Sequence, residues 1–135
     1  MNDKYSRDEE KSRVITKIKE LMDYLEPQLD KFPRSEKSYA GIATKMRMCM
    51  NAMAEACVGA EMSWYAKSVL KELFELDKQI QYTKFYAERC KSKKYFEFRR
   101  FEIVMNFLEE IGKMTGAWIK KIQDAEKSKT EKPKT

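Results

Sequence analysis

The stretch KSKKYFEFRRFE, residues 91–102, sets basic and aromatic side chains side by side. From Lys84 to Arg100 the chain carries seven basic and two acidic side chains, a net charge of +5 against +6 for the whole protein. Lys and Arg neutralise phosphates and release their counterions. Aromatic rings between them can stack on unpaired bases. This chemistry indicates a polyanionic partner, nucleic acid above all.

A plainer interpretation of the same stretch stays open. A lysine-rich helix end is often only solvated, and the spacing of Phe98 and Phe101 favours the core over a stacking platform. Against this, Lys91, Lys93 and Lys94 lie where a helix begins and where the macrodipole favours acidic residues. Their position indicates that these lysines have a role other than stabilising the helix.

Residues suited to catalysis are few. The sequence has no histidine, so the usual near-neutral base is missing. Its three cysteines include no CxxC pair, and Glu109 and Glu110 are adjacent and diverge on a helix. We therefore expect no enzyme, no cofactor and no metal site, with Cys57 packed in the core. We also expect three reduced thiols in a cytoplasmic protein, and no apolar run approaches the length of a membrane span.

Four helical patterns position these residues. The spacing predicts helices from about Ser6 to Phe32 with a bend at Pro27, from Ser35 or Ser38 to the 58–62 region, from Ser63 to Cys90, and from the 92–98 region to Ala125. Ser6 and Glu9 fit a capping box. Short connections make consecutive helices neighbours. We predict an all-α, antiparallel up-down-up-down four-helix bundle as one domain over residues 1–125, and a disordered charged tail over 126–135.

Each helix carries an apolar seam at 3–4 spacing, which predicts the core. The predicted seams are Ile15, Ile18, Met22, Leu25, Leu29 and Phe32; then Ile42, Met46, Cys49, Met53, Ala56 and Ala60; then Met62, Ala66, Val69, Leu73, Leu76, Ile80, Thr83, Ala87 and Cys90; and finally Phe98, Phe101, Met105, Leu108, Gly112, Thr115, Ile119 and Ile122.

Helices three and four carry more apolar residues than one seam needs. The surplus residues are Phe74, Phe85, Ile103, Phe107, Met114 and Trp118. One explanation is a wide core-facing stripe with scattered exposed apolar residues, as on many surfaces. The other is self-association through these residues, because an apolar arc this broad would form an exposed patch on a monomer.

Three stretches carry a family resemblance: KFPRSEKSYAG at 31–41, LFELDKQIQYTKFYAERC at 73–90, and KKYFEFRRFEIVMNFLEEIGKMTGAWIK at 93–120. They resemble the accessory variability determinant (Avd) proteins of diversity-generating retroelements. Wider relatives are the four-helix-bundle proteins encoded in ribosomal-RNA intervening sequences.

The resemblance implies a small basic protein that is not an enzyme and forms a ring-shaped homopentamer. Its implied partners are the retroelement's reverse transcriptase and RNA, with DNA as a further ligand, in the synthesis of mutagenised cDNA. Arg99 and Arg100 match the family's basic pair, and Arg34 matches the FPR turn. The candidate residues for nucleic-acid or reverse-transcriptase binding are Arg34, Lys67, Lys71, Lys78, Lys84, Arg89, Lys91, Lys93, Lys94, Arg99 and Arg100.

Two alternatives stay open from the sequence. One is a ribosomal-RNA-associated bundle protein with no polymerase partner. The other is a structural oligomeric interaction protein whose lysines are only solvated.

Overall fold

A computed structural model describes residues 2–130, with side chains for residues 13–129. The helices are α1 (Asn2–Asp30), α2 (Ile42–Met62), α3 (Ala66–Ser92) and α4 (Phe98–Thr130), with a short 3-10 turn at Arg34–Lys37. Each helix packs against the helices next to it in the chain, and α1 also packs against α4. The predicted all-α, antiparallel four-helix bundle is confirmed.

The core runs the length of the bundle and is filled by long aliphatic side chains. The largest fully buried ones are Ile18, Leu21, Leu25, Leu29, Met46, Met50, Met53, Leu73, Leu76, Ile80, Leu108 and Ile111. The predicted seam of α2 is confirmed, since all six of its residues are buried. In α1 the core also takes Val14 and Leu21, while the predicted Ile15 and Met22 are half-buried at its edge.

The seam of α4 is rotated relative to the prediction. Val104, Ile111 and Trp118 face the core, whereas Phe98 is 63% exposed. Apolar residues lie on both sides of the predicted line, so the sequence allows either of two adjacent registers, and the structure adopts the one that buries Trp118. Trp118 is only 5% exposed. Its assignment to an oligomer interface was therefore wrong.

Several helix ends differ from the prediction. α1 already includes Asn2, so Ser6 lies within the helix and does not cap it. Gly41 caps α2 in place of Ser35 or Ser38 and, as a glycine, forms no capping hydrogen bond of its own side chain. α4 continues to Thr130, so residues 126–130 of the expected tail are helical. Residues 131–135 lie outside the described part of the chain.

The loop before α2 is held by side chains that bond to its backbone. The Ser38 carbonyl accepts a hydrogen bond from Thr44 Oγ1 at 2.7 Å, and Glu36 Oε1 accepts one from the Ile42 amide at 3.3 Å. The Glu36 carboxylate thus gives the first amide of α2 an acceptor of the kind that a capping side chain supplies. Among the described helices, none is both long enough and apolar enough to cross a membrane.

Candidate nucleic-acid interface

The turn between α3 and α4 is a Schellman motif that presents lysines at one end of the bundle. The Tyr95 amide donates to the Cys90 carbonyl at 2.9 Å, and the Lys94 amide donates to the Lys91 carbonyl at 3.0 Å. This pattern of crossed hydrogen bonds satisfies the last carbonyls of α3 and stops the helix. The chain then re-enters a helix at Phe98.

Lys94 occupies the left-handed position of this motif, with φ at 64°. That position usually belongs to glycine or asparagine, because a Cβ is unfavourable there. A lysine in this conformation costs stability and holds its ammonium group at the exposed tip of the turn. Backbone strain of this kind is concentrated at functional sites.

The loop before α2 is joined to this turn by hydrogen bonds to Glu36. The Glu36 carboxylate accepts hydrogen bonds from Lys93 Nζ at 2.9 Å and from the Tyr95 hydroxyl at 2.8 Å. The Lys93 and Tyr95 hydrogen bonds, with that of the Ile42 amide, lower the pKa of Glu36 to about 2. The same carboxylate raises the pKa of Lys93 and of Tyr95. The two loops thus form one surface.

Aromatic rings pack beneath the hydrogen bonds of Glu36. The ring of Phe32 lies 4.8 Å from that of Tyr95 and 5.8 Å from that of Phe96, centroid to centroid. Phe96 is 3% exposed, so it anchors the turn in the core. Such contacts fix the position of the lysines on either side.

Lys91 lies over the aromatic start of α4. Its Nζ is 4.6 Å from the ring centroid of Phe101 and 5.3 Å from that of Phe98. These are cation–π distances. The expectation that Phe98 belongs to the core is wrong, because its ring lies on the surface beside the cation.

The structure brings most of the predicted basic residues to one end of the bundle. Lys84, Arg89, Lys91, Lys93, Lys94, Arg99 and Arg100 follow the end of α3 into the start of α4, and Arg34 lies in the adjoining loop. Lys93 is already paired with Glu36. Arg34, Lys94 and Arg99 are exposed and form no ion pair with any residue whose side chain is described. We call these eight residues the basic end.

Arg100 differs from its neighbour Arg99. It is half-buried, and its Nε is buried without a hydrogen-bond partner among the described residues. A buried donor that lacks an acceptor is costly.

Three predicted basic residues lie elsewhere. Lys67, Lys71 and Lys78 follow the outward face of α3, away from the basic end. Lys78 pairs with Glu75 at 2.9 Å. These lysines do not belong to the same surface.

The residues predicted to form the oligomer interface also fall into two groups, one exposed and one half-buried. Phe74 and Phe85 on α3 are 51% and 57% exposed. On α4, by contrast, Ile103, Phe107 and Met114 are half-buried, and the ring of Phe107 lies 6.0 Å from that of Tyr24 on α1. These additional apolar residues of α4 widen its contact with α1, as expected if they belong to a wide stripe that faces the core.

Sequence reasoning missed Glu36 and Tyr95, which hold the basic end together. They are separated by 59 positions, and no local pattern connects them. The one available signal was the acidic residue in the basic loop KFPRSEKS.

The three thiols are free and buried, as predicted. Burial raises the pKa of Cys49, and raises the pKa of Cys57 and of Cys90 to about 12. These groups therefore remain protonated at neutral pH and act as small apolar side chains. Among the described residues, no three His, Cys, Asp or Glu side chains come together as a metal site.

A comparison with protein families decides where this bundle belongs. The profile of the bAvd-like family matches residues 13–122. The chain belongs to the bAvd-like family. It is thus an accessory protein of the Avd type, as the resemblance of its loops and of its fourth helix indicated.

A solved structure shares this fold. The chain is similar to a protein of unknown function from the S23 ribosomal protein family of Bacteroides thetaiotaomicron, with a TM-score of 0.74 and 16% identity. The similarity covers 82% of this chain and 98% of the other. No curated protein sequence matches this chain.

Proposed function

We propose that this bAvd-like protein binds the reverse transcriptase of a diversity-generating retroelement and its template RNA, and so supports mutagenic cDNA synthesis. The polymerase performs the chemistry, and this chain positions enzyme and RNA. It acts in the cytoplasm, without a cofactor, as a ring-shaped homo-oligomer. DNA is a further ligand of the same surface.

The basic end carries this proposal. Arg34, Lys94 and Arg99 are exposed there without acidic partners among the described residues, and Lys94 is in a strained conformation. Phosphate groups of an RNA backbone fit such a set of cations. Phe98, exposed beside Lys91, offers a ring on which an unpaired base can stack.

The test combines Arg99→Ala with Arg100→Ala. We expect the double variant to weaken binding to template RNA roughly tenfold or more, and to reduce the salt slope of binding by about one to two units, because phosphate contacts are lost. Co-purification with the reverse transcriptase should fall with it. RNA affinity is measured by fluorescence anisotropy across a salt titration.

The control is Lys113→Ala with Lys120→Ala, which removes two exposed cations from the same helix far from the basic end. This control should keep both activities, and circular dichroism should show equal helicity in all variants. Unchanged affinity and salt slope in the Arg99/Arg100 variant would contradict the proposal. RNA binding without any association with the polymerase would favour the ribosomal-RNA-associated alternative, which the gene neighbourhood also tests.

A further inference from the structure

Two exposed aromatic rings lie at the same end of the bundle as the basic residues. Tyr39, in the loop before α2, is 89% exposed, and Phe98, the first residue of α4, is 63% exposed. In an antiparallel bundle, the loop between α1 and α2 lies at the same end as the turn between α3 and α4. Glu36 joins these two segments through its hydrogen bonds to Lys93 and Tyr95. Both rings therefore belong to one surface.

Each of the two rings has an ammonium group beside it. Lys45 Nζ is 5.7 Å from the ring centroid of Tyr39, and Lys91 Nζ is 5.3 Å from that of Phe98. Neither lysine forms an ion pair with a residue whose side chain is described. An ammonium group in this position can contact a phosphate while the ring stacks on a neighbouring base. The same combination of groups thus occurs on both loops.

The segment around Tyr39 is itself basic. Residues 31–45 carry four basic side chains and one acidic side chain, Glu36, which is already paired with Lys93. This charge favours a polyanion on the loop before α2 as well as on the turn after α3. In duplex RNA the bases are stacked on one another, so exposed rings can stack only on bases that are unpaired.

We infer that this end of the bundle selects single-stranded RNA. One unpaired base stacks on Tyr39 and another on Phe98, while Lys45 and Lys91 contact the adjoining phosphates. The inference rests on the proposed function and names the class of RNA that this surface takes. Cations alone would bind a duplex as well as a single strand, because both carry backbone phosphates. The rings add a preference for unpaired bases, and Tyr39 is a binding residue that the charge pattern did not identify.

The test is the double variant Tyr39→Ala with Phe98→Ala. Binding is measured by fluorescence anisotropy on a labelled RNA strand and on the same strand annealed to its complement. We expect the native protein to bind the single strand more tightly than the duplex. The double variant should lose roughly tenfold or more in affinity for the single strand, because two stacking contacts are removed. Its affinity for the duplex and its salt slope should stay at the native values, since no phosphate contact is removed.

Two further variants are the controls. Tyr39→Phe with Phe98→Tyr keeps both rings and should keep the native affinity and strand preference. Tyr65→Ala removes a ring that is 77% exposed at the opposite end, between α2 and α3, and should also bind as the native protein does. Circular dichroism should show equal helicity in all variants, because the three rings lie on the surface.

Photo-cross-linking locates the bound bases directly. A single strand that carries 5-iodouridine is irradiated in complex with the native protein, and the cross-linked peptides are identified by mass spectrometry. We expect cross-links at Tyr39 and at Phe98. Cross-links only at other positions, equal affinity of the native protein for single strand and duplex, or native affinity of the double alanine variant for the single strand would overturn the inference.

These measurements separate the inference from the proposed function. The Arg99/Arg100 variant should lose affinity for both forms of RNA and show a smaller salt slope, whereas the ring variant should lose affinity for the single strand alone. If the native protein binds both forms equally with a steep salt slope, the inference is wrong and the proposed function stands. Binding of neither form would contradict the proposed function itself.

Discussion

Glu36 connects two loops that are distant in the sequence, and its contacts show how single residues shape the basic end. Its side chain is 13% exposed, and it accepts hydrogen bonds from Lys93, from Tyr95 and from the start of α2. By pairing with Lys93, it also withdraws one cation from the set that a polyanion can reach. Arg34, Lys94 and Arg99 have no acidic partner among the described residues, so they remain accessible to a polyanion.

The depressed pKa of Glu36 predicts a pH-dependent stability. Its folded pKa is about 2 against an ordinary value of 4.5. Its stabilising contribution is therefore complete above about pH 4.5 and is lost as the pH falls towards 2. We expect Glu36→Gln to lower the melting temperature at pH 7, and expect the difference from the native protein to shrink between pH 4.5 and 2.

Thermal unfolding followed by circular dichroism at several pH values measures this difference. Glu102→Gln, on an exposed residue of α4, serves as the control and should show little change at any pH. A difference for Glu36→Gln that stays constant from pH 7 to pH 2 would show that the carboxylate is not held in its charged form.

The helices follow local sequence, and the loops between them depend on close backbone contacts. At Gly41, an added Cβ would lie 2.0 Å from the backbone oxygen of Glu36. Since φ at Gly41 is −74°, the requirement is space and not a left-handed conformation. The 31–41 loop can therefore close onto α2 only with glycine at this position.

Gly41→Ala should consequently destabilise the protein by about 1–3 kcal/mol, because backbone atoms of the loop must move. Gly116→Ala is the matched control within α4, where nothing lies within 4 Å of the added carbon. That substitution should stabilise the protein by about 0.5–1 kcal/mol, as alanine favours a helix. Urea denaturation measures both. A neutral effect of Gly41→Ala would contradict the close approach.

One core joins the four helices. Leu73 and Leu76 are fully buried and pack in the same cluster as Ile18 and Leu108. The helices therefore depend on one another, and the bundle should unfold as a single cooperative unit. The basic end is formed by two loops at one end of this core. Its residues therefore keep their positions only while the bundle is folded.

Leu73→Ala should reduce the free energy of unfolding by about 2–5 kcal/mol, through lost burial and the cavity that remains. Leu70→Ala, three positions earlier on a half-exposed side chain, should cost clearly less. Urea denaturation should give similar m-values for both variants. Equal losses at the two positions would show that Leu73 does not lie in the core.

The helices, their order, the seam of α2 and the concentration of charge between Lys84 and Arg100 could be predicted from the sequence, because they depend on spacing along the chain. The other features depend on how the helices and loops pack. Which face of α4 is buried depends on how α4 packs against α1. Trp118 therefore lies in the core, and Phe98 lies on the surface. Pairing of Glu36 with Lys93 depends on how distant segments meet, and no periodicity within one helix encodes such a distance.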